Sequence, residues 1–180
     1  MIVLLNGAFG IGKTTVARLL VRRLRRAILF DPEIFGLVLQ RVARLGGKRV
    51  EDFQDLVLWR RLTIVGVWAT RLFWPNVVVP MAFSNIEYLD EIRAGLQRFE
   101  PRLLHLCLVA PVDVVHQRLR ARGADVTREA WEYRRAAECC IAHAGEEFAT
   151  RVPAAGRDPE QIAEELFSVV AAGDTTSSHC

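Results

Sequence analysis

A glycine-rich segment close to the first residue constrains the fold of this chain more than any other feature. The segment reads Gly7-Ala8-Phe9-Gly10-Ile11-Gly12-Lys13-Thr14, which fits the phosphate-binding loop pattern of glycine, four residues and Gly-Lys-Ser/Thr. Its glycines allow the backbone to curl so that consecutive N–H groups can surround the phosphates of a nucleotide. An apolar run at 2–5 precedes it and a helical pattern follows it. This order suits the chemistry, because a helix N-terminus attracts anionic phosphate.

Individual residues of this loop have separate expected roles. Lys13 would neutralise the β- and γ-phosphates, and the Thr14 hydroxyl would ligate Mg²⁺. The alternative is a plain turn between a strand and a helix, which the position and surroundings of the motif disfavour. The predicted nucleotide-binding residues are Gly7, Ala8, Phe9, Gly10, Ile11, Gly12, Lys13, Thr14 and Thr15.

Short apolar runs alternate with longer helical patterns along the rest of the chain. Strands are predicted at 2–5, 27–30, 77–79 and 103–109, with a weaker fifth strand at 148–152. Helices are predicted from 12, over 33–45, from an N-cap at Asp52 to 73, from a cap at Ser84 or Asn85 to 99, over 112–122, over 128–144 and from 159. This alternation predicts an α/β fold with a parallel sheet covered on both faces. A single domain is expected over 1–172, followed by a flexible tail at 173–180.

Composition excludes several classes of protein. The chain has 180 residues, of which 51% are hydrophobic, and this is enough for a sizeable core. A net charge of +3 is too small to predict nucleic-acid binding by itself. The stretch 62–74 is too short to span a bilayer and carries Arg71, so a core helix is predicted there. No signal peptide is expected before the first strand, and cysteines without metal-ligand spacing favour a cytoplasmic location.

Asp31 is the next candidate for a functional residue. It follows the second apolar run, so a parallel sheet places it at the same carboxyl edge as the glycine-rich loop. A carboxylate there can orient an acceptor hydroxyl towards the γ-phosphate and accept its proton. Its position matters more than its basicity, because an ordinary Asp is a weak base. The alternative is an N-cap for the helix that follows, and the two roles are compatible.

Two groups of arginines allow a functional interpretation. Arg118 and Arg122 lie four residues apart on one helical face, within a basic segment at 118–135 that is suited to closing over a nucleotide as a lid. A solvated helix surface is the alternative, and the sequence does not decide between the two for this pair. The arginines between 18 and 26 favour a solvated face opposite the apolar stripe of the first helix. No nucleic-acid partner is predicted.

One part that is common in phosphate-loop enzymes is missing. Such proteins often carry an apolar strand that ends in Asp, which helps to hold Mg²⁺. Here the third predicted strand runs into Pro80-Met81 and the fourth into Ala110-Pro111. Mg²⁺ would then depend on Thr14, water, the phosphates and Asp31. This pattern argues against a motor or switch GTPase and favours a small kinase.

Several further motifs resemble the tunicamycin-resistance proteins of bacteria. The most specific are Phe30-Asp31-Pro32-Glu33 and the pair Asp52-Phe53-Gln54 and Leu58-Trp59-Arg60, and the resemblance extends from residue 2 to about residue 170. It implies a three-layer, P-loop, nucleoside- and nucleotide-kinase-like fold with a five-stranded parallel sheet of order 2-3-1-4-5. It also implies an ATP site with Mg²⁺ and a role for Asp31 as the base.

The resemblance also suggests which residues contact a substrate. Tunicamycin is a uridine-containing nucleoside with sugars and a fatty acyl chain. An aromatic ring can stack on its base, and Gln or Asp can bond to the base edge or to a sugar hydroxyl, while Phe53, Leu56, Val57 and Trp68 could meet the acyl chain. Core packing is the alternative for Trp59 and Phe53. The candidate substrate residues are Asp31, Asp52, Phe53, Gln54, Trp59 and Arg60.

Two hypotheses for function follow. The first is a small-molecule kinase that moves the γ-phosphate of ATP to a hydroxyl of a nucleoside antibiotic such as tunicamycin, with Lys13, Asp31, Arg118 and Arg122 as catalytic residues. The second is an ATP-dependent protein that binds and sequesters the antibiotic without changing it. Some members of the family are described as binding the antibiotic and associating with membrane, so peripheral membrane contact stays open. A nucleic-acid-associated ATPase rests on the arginine run alone and is disfavoured.

Overall fold

The computed structural model describes residues 1–45, 52–123, 126–145, 148 and 150–175. Its strands are β1 (Ile2–Gly7), β2 (Ala27–Leu29), β3 (Asn76–Met81), β4 (Leu103–Val109) and β5 (Thr150–Pro153). Its helices are α1 (Lys13–Arg23), α2 (Pro32–Leu45), α3 (Val57–Phe73), α4 (Ile86–Gln97), α5 (Val112–Ala121), α6 (Val126–His143) and α7 (Pro159–Thr175), and a 3₁₀ turn spans Phe53–Asp55. The strands form a parallel sheet of order β2-β3-β1-β4-β5. The predicted fold class and strand order are confirmed.

Helices cover both faces of the sheet because successive residues of a strand point to opposite sides. Every residue of the central strand β1 is buried. Val3 and Leu5 pack with residues of α1, α5 and α7, which we call the α1 layer. Ile2 and Leu4 pack with residues of α3 and α4, which we call the α3 layer. The loops at the carboxyl ends of the strands therefore lie between two layers, and they carry most of the candidate site residues.

Strand β3 continues through Pro80, which corrects the predicted end of the third strand. The strand runs to Met81, with Pro80 beside Leu5 of β1. The ladder between β2 and β3 reaches only to Val78. Within the described sheet, β3 is therefore paired on one side at Pro80, and a proline, which has no N–H to donate, is tolerated at such a position.

Several element boundaries differ from those predicted. Asp52 caps the 3₁₀ turn through a 2.9 Å hydrogen bond from Gln54 N–H, and α3 begins only at Val57. The fifth strand lies at Thr150–Pro153 rather than at 148–152. Helix α7 extends to Thr175, and the remaining part of the predicted tail, 176–180, is outside the described residues.

Helix α3 is not the core helix that was predicted for 62–74. Trp59, Arg60, Thr63 and Val67 are its buried residues. Large apolar side chains point outward instead, and these are Val57, Leu58, Leu62, Val65, Trp68, Leu72 and Phe73, with Trp74 directly after the helix. In the part of the chain that the structure describes, no helix is long and apolar enough to cross a membrane.

Candidate nucleotide and acceptor site

The glycine-rich loop connects the end of β1 to the first turn of α1. Gly10 and Gly12 have φ angles of 83° and 104°, a left-handed conformation that glycine adopts without strain. A Cβ atom at Gly10 would also lie 2.7 Å from Leu119 Cγ. Gly12 is the N-cap of α1 and has no side chain to cover the first N–H groups of the helix. A concave backbone at a helix N-terminus fits a phosphate group.

Lys13 and Glu33 meet beside this loop. Lys13 is only 7% exposed, and its Nζ lies 5.0 Å from the centre of the Phe9 ring and 3.8 Å from Glu33 Oε1. Glu33 Oε1 is buried and has no hydrogen-bond partner among the described residues, since 3.8 Å is too long for a hydrogen bond. The pair therefore places a cation and a carboxylate oxygen with unused bonding capacity side by side.

Asp31 lies at the predicted edge of the sheet and also caps α2. Its Oδ1 accepts a 3.0 Å hydrogen bond from Glu33 N–H, which is the N-cap geometry. Thr14 is half-buried in the first turn of α1, and Thr15 is exposed one residue later. The cap uses one oxygen of Asp31, so it orients the carboxylate without excluding a role towards an acceptor.

Arg118 bridges two loops instead of standing free as a lid residue. Its Nη1 donates a 2.6 Å hydrogen bond to Ile11 O, and its Nη2 donates a 2.8 Å hydrogen bond to Ala154 O. Arg118 therefore ties the glycine-rich loop to the segment after β5. Arg122 is exposed at the C-cap of α5. Part of the predicted lid, residues 124 and 125 and the side chains of 126–130, lies outside the described residues.

A polar cleft of about 560 Å³ lies between the 3₁₀ turn, the start of α4 and helix α6. Arg135 of α6 forms an ion pair of 2.9 Å with Asp52 and donates a 3.0 Å hydrogen bond to Ser84 Oγ. The residues that line the cleft are Asp52, Gln54, Asp55, Ser84, Asn85, Tyr88, Trp131, Arg134, Arg135 and Glu138. Hydroxyl, amide and charged groups in this number suit a ligand that is rich in hydroxyls.

Burial sets the electrostatics of the Asp52–Arg135 pair. Burial raises the pKa of Asp52, and the Gln54 N–H and the Arg135 charge offset only part of this effect. Burial also disfavours charge on Arg135, but its hydrogen bond to Glu138 and the nearby Asp52 more than compensate, and its pKa is raised. Because both charges are shielded from water, their attraction is stronger than that of a surface pair. The pair holds α6 against the 3₁₀ turn.

Comparison with known proteins identifies the family to which this chain belongs. The family model described as an AAA domain matches residues 2–137. The tunicamycin resistance protein of Deinococcus radiodurans is similar over 94% of this chain and 94% of its own, with 30% sequence identity and a TM-score of 0.73. The chain belongs to the AAA domain family and to the family of tunicamycin-resistance proteins. The resemblance read from the sequence is confirmed.

Two small-molecule kinases have a similar fold. A gluconokinase from Sinorhizobium meliloti has a TM-score of 0.66 and 15% identity, over 94% of this chain and 91% of that one. A shikimate kinase from Acinetobacter baumannii has a TM-score of 0.63 and 16% identity, over 95% and 93%. Identities this low show a shared fold and nothing about substrate. A search of curated proteins found no match.

Two of the predicted substrate residues belong to the core of this tunicamycin-resistance family member. Trp59 is 1% exposed, and its Nε1 donates a 2.9 Å hydrogen bond to Pro32 O. Its ring packs against Phe53 and Phe83, with centroids 5.0 and 5.8 Å apart. Phe53 is buried as well. The expectation that these rings contact a substrate is therefore wrong, because neither ring has a face open to the cleft.

Arg60 supports the cleft from behind. Its Nη1 donates a 2.6 Å hydrogen bond to Gln54 O, its Nε donates one of 2.5 Å to Glu91, and its guanidinium lies 4.1 Å from the centre of the Tyr88 ring. Gln54 is itself held by a 3.1 Å hydrogen bond from its Nε2 to Ala82 O. The predicted direct substrate contact of Arg60 is thus corrected: the residue positions Gln54 and Tyr88, which line the cleft.

Three residues of the site were not singled out from the sequence. Glu33 had a local signal, since it stands two residues after Asp31 in the first turn of a helix. Arg135 belongs to the basic segment predicted as a lid, but its pairing with Asp52 had no sequence signal, because the two residues are distant in the chain. Trp131 packs edge-on against Phe9 with centroids 5.4 Å apart, and so joins α6 to the glycine-rich loop.

Thr14 is the predicted metal ligand, and Asp31 is the other side chain that the sequence offers to the Mg²⁺ site. Strands β3 and β4 end at Met81 and Val109, so neither neighbour of β1 presents a carboxylate at its last residue. Across the described residues, no three His, Cys, Asp or Glu side chains are grouped in a way that could hold a metal ion. The residues near the loop fit a cation that is bound chiefly through phosphate and water.

Proposed function

We propose that this protein is a phosphotransferase that uses Mg-ATP to phosphorylate a hydroxyl of a nucleoside antibiotic such as tunicamycin. The observation that carries the proposal is the 3.8 Å approach of Glu33 Oε1 to Lys13 Nζ, with Asp31 beside them. A phosphate-binding lysine and two carboxylates at one sheet edge are the groups that phosphoryl transfer to an alcohol needs. The similarity to a tunicamycin resistance protein supports the choice of acceptor.

Each part of the site has a role in this proposal. Residues 7–15 bind the phosphates of ATP through their backbone N–H groups, Lys13 offsets their charge, and the Thr14 hydroxyl contributes to the Mg²⁺ site. Bound ATP supplies the phosphoryl group. Asp31 orients the acceptor hydroxyl and takes its proton, and Glu33 stands close enough to share this task. Arg118 fixes the loop, and the cleft around Asp52 and Arg135 holds the acceptor.

Mass spectrometry of tunicamycin after incubation with purified protein and Mg-ATP tests the proposal. We expect one added phosphate, and we expect it to require Lys13 and Asp31. Asp31→Asn should keep ATP binding and lower the rate of phosphate transfer by at least about a hundredfold, since the acceptor hydroxyl no longer has a carboxylate to take its proton. Asp90→Asn, on the exposed face of α4, is the matched control and should be fully active. Full activity of Asp31→Asn would transfer the role of base to Glu33, which Glu33→Gln then tests.

Sequestration of the antibiotic is a second candidate function. The strands beside β1 end without the carboxylate that often completes a Mg²⁺ site, which favours binding over turnover. In this case the drug would be recovered unchanged, and protection would scale with the amount of protein and not with time. A chemically altered drug excludes this candidate. For either function we propose a cytoplasmic location, where ATP is available.

A further inference from the structure

Helix α3 buries one face, which carries polar as well as apolar residues, and exposes a second face that is almost entirely apolar. On the inner side, Arg60 pairs with Glu91, Arg71 pairs with Glu100, and Thr70 Oγ1 donates a 2.7 Å hydrogen bond to Gly66 O. On the outer side, seven large apolar residues are exposed, with Trp74 adjoining them. A helix at the surface of a single chain normally exposes charged and polar residues on its outer face. The outer side of α3 therefore has the composition of a buried surface, although its large apolar side chains are exposed in the single chain.

The exposed residues form one continuous surface. With 3.6 residues per turn, positions 57, 58, 61, 62, 65, 68, 69, 72 and 73 fall within less than half of the circumference. Arg61 is the single charged residue on this arc of α3, every residue of which is described. Exposed fractions of 39% to 74% on eight side chains leave roughly 800 Å² of accessible surface, close to what each partner buries in a stable complex. Isolated monomers rarely expose an apolar patch of this size.

We infer that this surface is the interface of a symmetric dimer, in which α3 packs antiparallel against α3 of a second copy. Val65 lies at the middle of the helix, so a two-fold axis there brings Val65 against Val65. The same register places Leu58 opposite Leu72 and Leu62 opposite Trp68 of the second copy. Arg61 then faces Ala69, whose small side chain leaves room for the arginine to reach the rim. The pattern is thus complementary to itself.

The charges nearby disfavour a membrane as the occupant. Helices that lie on anionic membranes carry Lys and Arg beside their apolar face. The neighbouring helix α4 instead presents the exposed Glu87, which anionic lipids would repel, while its Arg93 is paired with Asp90 and its Glu91 with Arg60 of α3. The arginines of α3 itself, apart from Arg61, are bound to carboxylates of the same chain. A second copy of the chain brings no such repulsion to the apolar arc.

Light scattering of the full chain after size exclusion tests the dimer. We expect twice the 20.3 kDa of one chain for the wild type. Val65→Asp should give one chain mass and weaken the dimer by roughly a hundredfold or more, since two carboxylates would meet at the centre of the interface. Val169→Asp is the matched control: Val169 is 37% exposed on α7, on the opposite side of the sheet, and the variant should stay dimeric.

A second variant tests the register independently of whether Val65→Asp folds. Val65→Cys, with Cys140 and Cys180 changed to Ser, should form a covalent dimer on mild oxidation, and Val169→Cys in the same background should not. A monomeric wild type would overturn the inference, and so would a dimer that neither Val65 variant affects. A monomeric wild type that floats with vesicles of phosphatidylcholine and phosphatidylserine would also overturn the inference, because a membrane would then cover the surface.

Discussion

The α1 layer and the α3 layer cover the same sheet but present outer faces of different polarity. In the α1 layer, Val16, Ala17 and Leu20 point into the core, and Arg23 at the surface pairs with Glu160 and Glu164 of α7. In the α3 layer, Trp59 and Val67 point into the core together with Arg60 and Thr63, and the outer arc is apolar apart from Arg61. The first layer is thus complete within one chain, whereas the second leaves a large apolar surface exposed.

The candidate site also has two contrasting sides. The nucleotide side is made mainly of backbone, with glycine conformations and a helix N-terminus within a few residues of each other. The acceptor side is made of side-chain pairs between distant parts of the chain, such as Asp52 with Arg135 and Arg60 with Glu91. Changes on the two sides should therefore affect different steps, and the following predictions test that separation.

The largest effect is expected on the nucleotide side, from Lys13→Ala. Loss of the buried ammonium group should lower kcat about a thousandfold, which is about 4 kcal/mol of transition-state stabilisation. Arg18→Ala, on the exposed face of the same helix, should have no effect. Steady-state kinetics with Mg-ATP measure both. An unaffected Lys13→Ala variant would show that the loop does not bind the transferred phosphate.

The second prediction concerns the pH dependence of stability, which we assign to the α3 layer. Burial lowers the pKa of His105 to about 4, and both ring nitrogens lack hydrogen-bond partners in the described structure. The unfolded chain therefore binds a proton at His105 more readily than the native protein does. Stability from this residue is complete above pH 6.5 and should fall by about 3 kcal/mol as the pH drops towards 4.

Urea unfolding at several pH values measures this effect. The free energy of unfolding of wild type should fall more steeply between pH 6.5 and 4 than that of His105→Leu, and the difference in slope isolates His105 from the other titrating groups. His143 contributes in the same direction, because burial lowers its pKa as well. Parallel curves for the two proteins would mean that His105 is not the source of the dependence.

On the acceptor side, Arg135→Leu should raise the KM for the acceptor about thirtyfold, or about 2 kcal/mol, because Asp52 would stay buried without its partner. The KM for ATP should change little. Arg157→Leu breaks an exposed ion pair with Glu165 and serves as the matched control. In the double variant Asp52→Leu with Arg135→Leu, the KM for the acceptor should rise by less than the product of the increases in the two single variants. Equal changes in both KM values would contradict the separation.

The smallest effect is expected from Arg118→Met, which removes the bridge between the glycine-rich loop and the segment after β5. ATP should bind about tenfold more weakly, because the loop loses a charge-assisted hydrogen bond at Ile11 O. The acceptor KM should not change. Isothermal titration with ATP gives the affinity directly, and a loss of acceptor affinity alone would place Arg118 on the other side of the comparison.

The parts of the molecule that were predictable from sequence are those that local patterns determine. The loop at 7–14, the continuous apolar strands and the cap at Asp31 depend on neighbours in the chain. The orientation of Trp59 and Arg60 does not, since each face of α3 carries a tryptophan and an arginine, with Trp68 and Arg61 exposed. Pro80 looked like a strand end because a local pattern contains no information about how far β2 extends. The strand order came from family resemblance and not from residue patterns.

Because of Arg118, the glycine-rich loop is held in place only when a segment that is synthesised much later has folded. The glycine-rich loop leaves the ribosome well before Ala154, which follows β5 and supplies one of the two carbonyls that Arg118 holds. Contacts between segments so distant in sequence form late in folding. A nascent chain therefore contains the whole glycine-rich motif long before Arg118 holds the loop in place. Full affinity for ATP should appear only after β5 has joined the sheet, so nucleotide binding can report that β5 is in place.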